Sequence, residues 1–308
     1  MIRFNQIPGL SRLTMPRATI YILLAVIGFS FKPIIVKLIY AATAMSAVEL
    51  LGWRMLASLP MIAAIGLYLW LKSDLSGVRW QDATQACALG VLGYYVASIL
   101  DLAALRYISA SLERIVLFVY PCFTLILFHT IRRLPLNPKE IMAMCLSYAG
   151  ILVAYQEDRL LGGNVGLGVV LVLLSALSFA LYFVFSHRTV QRMGNLNFTT
   201  LALLSATVVS VGQAVWQEGI PLDLSLDAYG LIALLAIFGT VLPVYLTTAA
   251  LGLMGPTRTA LFGLLGPVIT LTLASLFLNE AMSLFRIGGL ILVLSGVFVL
   301  IKKPLAAP

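Results

Sequence analysis

Residues 103–121 read AALRYISASLERIVLFVYP, and residues 249–267 read AALGLMGPTRTALFGLLGP. The two stretches align without a gap at an offset of 146, from a shared AAL triplet to a shared proline. The same offset lays Gly150 on Gly296, where YAGILVAY meets LSGVFVLI. Nearer the N-terminus, LLAVIGFSF (23–31) resembles LLSALSFAL (173–181) at an offset of 150. The chain is therefore read as two related halves.

Both halves are greasy. Apolar residues fill 61% of 308 positions and charged residues only 10%, with a mean hydropathy of +1.03. A soluble protein of that composition would expose more apolar surface than water tolerates. About 20 helical residues cross a hydrocarbon core of about 30 Å. Ten segments of suitable length are predicted: Thr19–Tyr40, Ser46–Leu71, Ala83–Leu105, Ser109–Phe128, Lys139–Gln156, Val165–Arg188, Phe198–Trp216, Tyr229–Leu251, Thr257–Phe277 and Phe285–Ile301. The expected class is an all-α polytopic membrane protein. The first segment is read as a span, not a cleaved signal peptide, because no small-residue cleavage signal follows it.

Basic residues set the expected orientation. With the N-terminus inside, the inner segments and helix edges hold twelve Lys and Arg, and the outer ones hold Arg106, Arg159 and Arg286. That asymmetry predicts cytoplasmic termini. The expected plan is a tail at 1–17, five helices at 18–156, an outer connection at 157–164, five helices at 165–303 and a tail at 304–308. Five spans per half is odd, so the second half enters the membrane upside down. Inverted repeats of this kind are a transporter ground plan, with the binding site between the halves near mid-membrane. The net charge of +8 is explained by basic loops beside anionic lipid and implies no nucleic-acid partner.

Charges within lipid are costly, so each is a functional candidate. Lys37, Glu49, Arg54, Asp101, Glu113 and Arg114 come from four segments and reach a similar outer depth. They are expected to form an ionic network or gate, or to include a group that meets substrate or a proton. Arg54 is about 7–8 Å deeper than Glu49 by helical rise. Lys32, in GFSFKP, lies beyond the middle of the first segment. Its ammonium either meets a substrate carboxylate or phosphate, or pairs with Glu49 or Asp101. Its replacement by Ala is expected to leave folding mostly intact. Arg258 is a further candidate, as a phosphate contact or an interfacial cation. Phe29, Tyr94, Tyr120, Phe179, Tyr182 and Tyr245 either line a pocket or pack helices. Pro33, Pro121, Pro243 and Pro267 are expected kinks, serving gating or static shape.

The paired AAL…P stretches, five segments per half and FLNE after Pro267 resemble the EamA-type branch of the drug/metabolite transporter superfamily. The resemblance spans roughly residues 18–303. It implies a carrier with cytoplasmic termini in a bacterial inner membrane, commonly an exporter of amino acids or other small metabolites by alternating access. Relatives outside the branch exchange nucleotide sugars or phosphorylated sugars, which is the alternative. The family often places an acid after the fourth helix of each half. Glu280 fits, expected at a wet edge, whereas the first half has HTIRRL at that place. Expected partners are a small-molecule substrate, membrane lipid, and protons or another coupling ion; the assembly is a monomer or homodimer. No cofactor or metal is expected. There is no HExxH, no Gly-rich phosphate loop and no Cys/His ligand set, which disfavours the remaining alternative, an integral membrane enzyme.

Overall fold

The computed structural model describes residues 10–72, 78–133, 135–160, 162–217, 219–254 and 262–301. Among them the chain is helical and contains no strand. Its elements are α1 (Leu10–Ala42), α2 (Ala47–Leu71), α3 (Trp80–Gly90), a π-helical turn (Val91–Val96), α4 (Ala97–Ala104), α5 (Ala110–Leu117) and α6 (Tyr120–Arg132). They continue with α7 (Pro138–Leu160), α8 (Val165–Met193), α9 (Asn195–Gln217), α10 (Leu226–Ala236), a second π-helical turn (Ile237–Val241), α11 (Leu242–Met254), α12 (Leu265–Leu278) and α13 (Leu284–Ile301).

Among the described residues, seven helical stretches are long and apolar enough to cross a membrane: Arg17–Ala42, Ala47–Leu71, Trp80–Ala104, Ala110–Ile131, Val165–Ser186, Asn195–Gln217 and Leu226–Ala250. The other predicted segments differ for physical reasons. α7 opens with Lys139 and Glu140 and closes with Glu157, Asp158 and Arg159, which dilutes its apolar centre. α12 and Leu284–Val299 are apolar but shorter. The first part of the predicted Thr257–Phe277 segment falls outside the described residues. α7 also runs through Glu157–Leu160, a stretch predicted as connection.

The prolines act unequally. Pro33 sits inside an unbroken α1. Pro121, by contrast, marks a real interruption of the predicted Ser109–Phe128 helix. α5 stops at Leu117 and α6 restarts at Tyr120, with proline in its first turn. Proline has no N–H to give the carbonyl four residues back, so a first turn suits it. Pro243 follows the second π turn, and Pro267 is in the first turn of α12.

The duplication is visible in the backbone. The two π turns begin at Val91 and Ile237, 146 residues apart. Each holds a glycine, Gly93 or Gly239, against the first helix of the other half. A Cβ on Gly93 would lie 2.5 Å from Cγ of Tyr182 in α8, and one on Gly239 would lie 3.7 Å from Cα of Lys32 in α1. Carbonyls in the two turns correspond as well. Ser178 Oγ donates to Leu92 O at 2.8 Å, while Gly28, at the equivalent place, presses against Phe238 O.

The fifth helices of the halves cross with the same correspondence. A Cβ on Gly150 would meet Gly289 O at 2.6 Å, and one on Gly296 would meet Ala143 O at 2.4 Å. Adding 146 converts one pair into the other. Because numbers rise along α7 as they fall along α13, the two helices run antiparallel. Close approach of this sort requires glycine. Gly289→Ala and Gly296→Ala are each expected to destabilise by about 1–3 kcal/mol through overpacking. Gly230→Ala should be tolerated, since nothing lies within 4 Å of its added carbon. Melting of the purified protein in detergent checks the ranking; equal melting temperatures would refute this account of the α7–α13 contact.

Candidate functional site

Three buried charges collect where α1, α2, α4 and α5 meet. Asp101 on α4 is 1% exposed, Glu113 on α5 1% and Arg54 on α2 3%. Lys32 Nζ donates to Asp101 Oδ2 at 2.5 Å. Of the partners expected for Lys32, the structure selects Asp101. Arg54 donates through Nη2 to Ser98 Oγ at 2.9 Å. Arg114 donates through Nε to Thr270 Oγ1 on α12 at 3.2 Å and through Nη2 to the Phe29 carbonyl on α1. The side chains of Asp101 and Glu113 lie within hydrogen-bonding reach of each other.

The predicted six-member layer resolves into separate groups. Glu49 stays at the start of α2, where its carboxylate accepts from Ser46 N at 2.7 Å and Ser46 Oγ accepts from Glu49 N at 3.1 Å. That reciprocal capping box satisfies two donors at the helix start. For Glu49 the cap is a nearer partner than the other charges. Ser46→Ala should cost about 1 kcal/mol and leave the Lys32–Asp101 pair undisturbed, measurable as a small drop in melting temperature.

Lys37 belongs to a second cluster, facing Glu280 and Asp158. Asp158 on α7 is 2% exposed, and Arg286 on α13 is equally buried. Arg286 Nη2 lies 3.1 Å from Asp158 Oδ1 and Nη1 lies 3.6 Å from Glu280 Oε2. Asp158 also accepts from Ser109 N at 2.6 Å and Ser109 Oγ at 2.8 Å. Glu280 accepts from Ala110 N at 2.8 Å, Ser111 N at 3.1 Å and Ser111 Oγ at 2.6 Å. Glu280 is therefore no wet-edge residue. Two carboxylates from other elements cap the start of α5, where N–H groups lack intrahelical partners. The sequence reading missed Asp158 and Arg286 because both sit near helix ends, where charge normally reaches water.

The aromatic candidates form an array across both halves. Tyr94 OH and Tyr182 OH are 2.9 Å apart. Tyr182 stacks near Phe179 (centroids 5.8 Å), and Phe179 meets Tyr120 edge-on (5.3 Å). Phe118 and Phe183 extend the array on either side of Tyr120. Phe29 and Tyr245 pack with Tyr94 around Ile62 and Leu203, and Tyr245 OH is 2.8 Å from Thr200 Oγ1. Beside Thr200 a cleft of about 260 Å³ opens between α2 and α9, lined by Ala63, Gly66, Leu69, Asn197, Leu201 and Leu204. None of the charged candidates lines it. Arg258 lies outside the described residues.

Long apolar helices, two corresponding halves and charge buried between them define a polytopic membrane protein built by duplication. The chain belongs to the EamA-like transporter family, whose model matches residues 16–156 and again 166–302. Similar proteins include the uncharacterized transporter YcbK of Bacillus subtilis, 27% identical over 90% of this chain and 91% of the relative. An uncharacterized transporter of Archaeoglobus fulgidus is 24% identical over 73% of this chain and 80% of its own length. A crystal structure of another protein superposes with a TM-score of 0.64 at 18% identity, covering 92% of this chain and 95% of the other, which shows a shared fold. The protein is thus an integral membrane transporter with a small-molecule substrate.

Proposed function

We propose that this protein is a secondary carrier of ten spans, arranged as two inverted five-helix units, that moves a small organic metabolite by alternating access. The observation that carries the reading is the Lys32–Asp101–Glu113–Arg114 group, buried at the contact of the first half with α12 of the second. Charge is retained inside lipid when function requires it. A rocking of the halves about the α7–α13 contact would open this group to one side and then the other. The basic bias of the inner loops supports cytoplasmic termini, and the family resemblance supports a bacterial inner membrane.

The favoured cargo is an amino acid or related metabolite, moved outward. Lys32 would receive its carboxylate once freed from Asp101, and the Tyr94–Tyr182–Phe179–Tyr120 array would receive its side chain. A phosphorylated cargo would want several converging cations, and here Arg54 and Arg114 already bond Ser98, Thr270 and the Phe29 carbonyl.

Counterflow in proteoliposomes tests this. Vesicles loaded with a mixture of the twenty amino acids, and in parallel with sugar phosphates, are assayed for exchange of each labelled species, with and without a pH gradient. Saturable exchange of one chemical class supports the carrier reading. Exchange of sugar phosphates alone would replace the cargo, and no exchange of any solute would refute the reading.

A further inference from the structure

Three facts at the Lys32 group need a common explanation. Asp101 and Glu113 are both 1% exposed, and their side chains are within hydrogen-bonding reach. Asp101 Oδ1 and Glu113 Oε2 are buried with no hydrogen-bond partner. The neighbouring cations leave these two oxygens unbonded. Lys32 is taken by Asp101 Oδ2, Arg54 by Ser98, and Arg114 by Thr270 and the Phe29 carbonyl.

Ionised carboxylates only accept hydrogen bonds. Two of them side by side in a dry place would repel, and each would keep an unsatisfied oxygen at substantial cost. One proton placed between them removes both defects, because a protonated carboxyl donates and its neighbour accepts.

We propose that Asp101 and Glu113 form a proton-binding dyad that holds one proton between their carboxyl groups. The charged and titratable groups facing the dyad are Lys32 from α1, Arg54 from α2 and Arg114 from α5, with Tyr40 of α1 beyond Arg54. Lys32 fixes the charge on Asp101, so Glu113 carries the exchangeable proton. On release, the Glu113 carboxyl O–H bond breaks, the proton passes to water and the carboxylate remains beside Arg114. Arg114 reaches Thr270 on α12, which links the proton to the contact between halves. That linkage to solute movement rests on the carrier reading above; the proton site itself does not.

Infrared difference spectroscopy of the wild-type protein in liposomes, stepped from neutral to alkaline pH, tests the site directly. The expected result is a protonated-carboxyl band at neutral pH that disappears on alkalinisation. It should be absent in Glu113→Gln and still present in Glu280→Gln. Asp101→Asn should shift it, as its neighbour changes from carboxylate to amide. Absence of any such band in the wild type overturns the proposal, whether or not a variant folds. So does a band untouched by both dyad substitutions. Solute exchange without the band refutes the dyad alone. The band without any solute exchange supports the dyad and refutes the carrier reading.

Discussion

Lys32→Ala is expected to be among the most destabilising single changes in this protein. The ammonium and the Asp101 carboxylate are 2.5 Å apart, with side chains 15% and 2% exposed. Removing one partner leaves a charge uncompensated in a dry place, at a cost of about 3–5 kcal/mol. The expected readouts are a sharply lower melting temperature in detergent and a low yield of folded protein. Replacing both partners together, as Lys32→Met with Asp101→Leu, should recover most of that stability, since a well-packed apolar pair substitutes for a buried ion pair. The double variant should still fail to exchange solute in liposomes. A Lys32→Ala protein as stable as the wild type would show that the pair does not hold the fold. An exchange-competent double variant would remove Lys32 from the cargo path. The sequence offers pairing with Glu49 or Asp101 as one alternative for Lys32; the depth of burial of Asp101 is the reason a loss of stability is expected in place of intact folding.

The sequence disclosed this much because duplication copies backbone requirements. Gly150 and Gly296 could be matched by eye, and both prove to be close-approach points between α7 and α13. Gly289 is also legible as a close-approach residue, but the pairing of Gly150 with Gly289 and of Gly296 with Ala143 is not, because contact across the halves leaves no mark at any fixed spacing. The π turns were equally hidden. VLGYYV and IFGTV read like any apolar helix; the offset of 146 pairs Gly93 with Gly239, but only the structure shows that both lie in π turns. That placement explains why Lys32 is alone. At the 150 offset its place in the second half belongs to Tyr182, which also faces a π-turn glycine but meets the hydroxyl of Tyr94. The scaffold was duplicated and the charge was not.

Depth along a helix, about 1.5 Å per residue, groups Arg54, Asp101, Glu113 and Arg114 with Lys37 and Glu49, and offers Lys32 only as a partner of Glu49 or Asp101, whereas the structure puts Lys32 on Asp101. Depth fails where the nearest partner is local or comes from a chain reversal. Glu49 turned to its own helix start. Asn279 adopts a left-handed conformation, with φ of 53°, just after α12 ends at Leu278, and the chain then directs Glu280 onto the start of α5. A hydropathy profile records neither event.

The second large effect follows from that reversal. Arg286→Ala should destabilise by about 3–5 kcal/mol, as for other broken buried pairs. The guanidinium is the positive partner of both Asp158 and Glu280, and it also donates to Ala281 O at 2.9 Å. Without it, two carboxylates remain near one another at the start of α5, held by the Ser109, Ala110 and Ser111 donors and faced by Lys37. Because α5 carries Glu113 and Arg114, its loosening should reach the Lys32 group. Glu280→Ala should be milder, since it removes hydrogen bonds but leaves Arg286 paired with Asp158. Arg286→Lys should fall between, having charge without the two-armed geometry. The expected order of melting temperatures is wild type, Glu280→Ala, Arg286→Lys, Arg286→Ala. Hydrogen exchange over Leu112–Leu117 should rise in the same order, whereas the Ala110 and Ser111 amides, whose acceptor is Glu280, should exchange fastest in Glu280→Ala. If Arg286→Ala melts with the wild type and exchanges no faster at Ala110–Leu117, the second cluster does not anchor α5, and the two charge groups act independently.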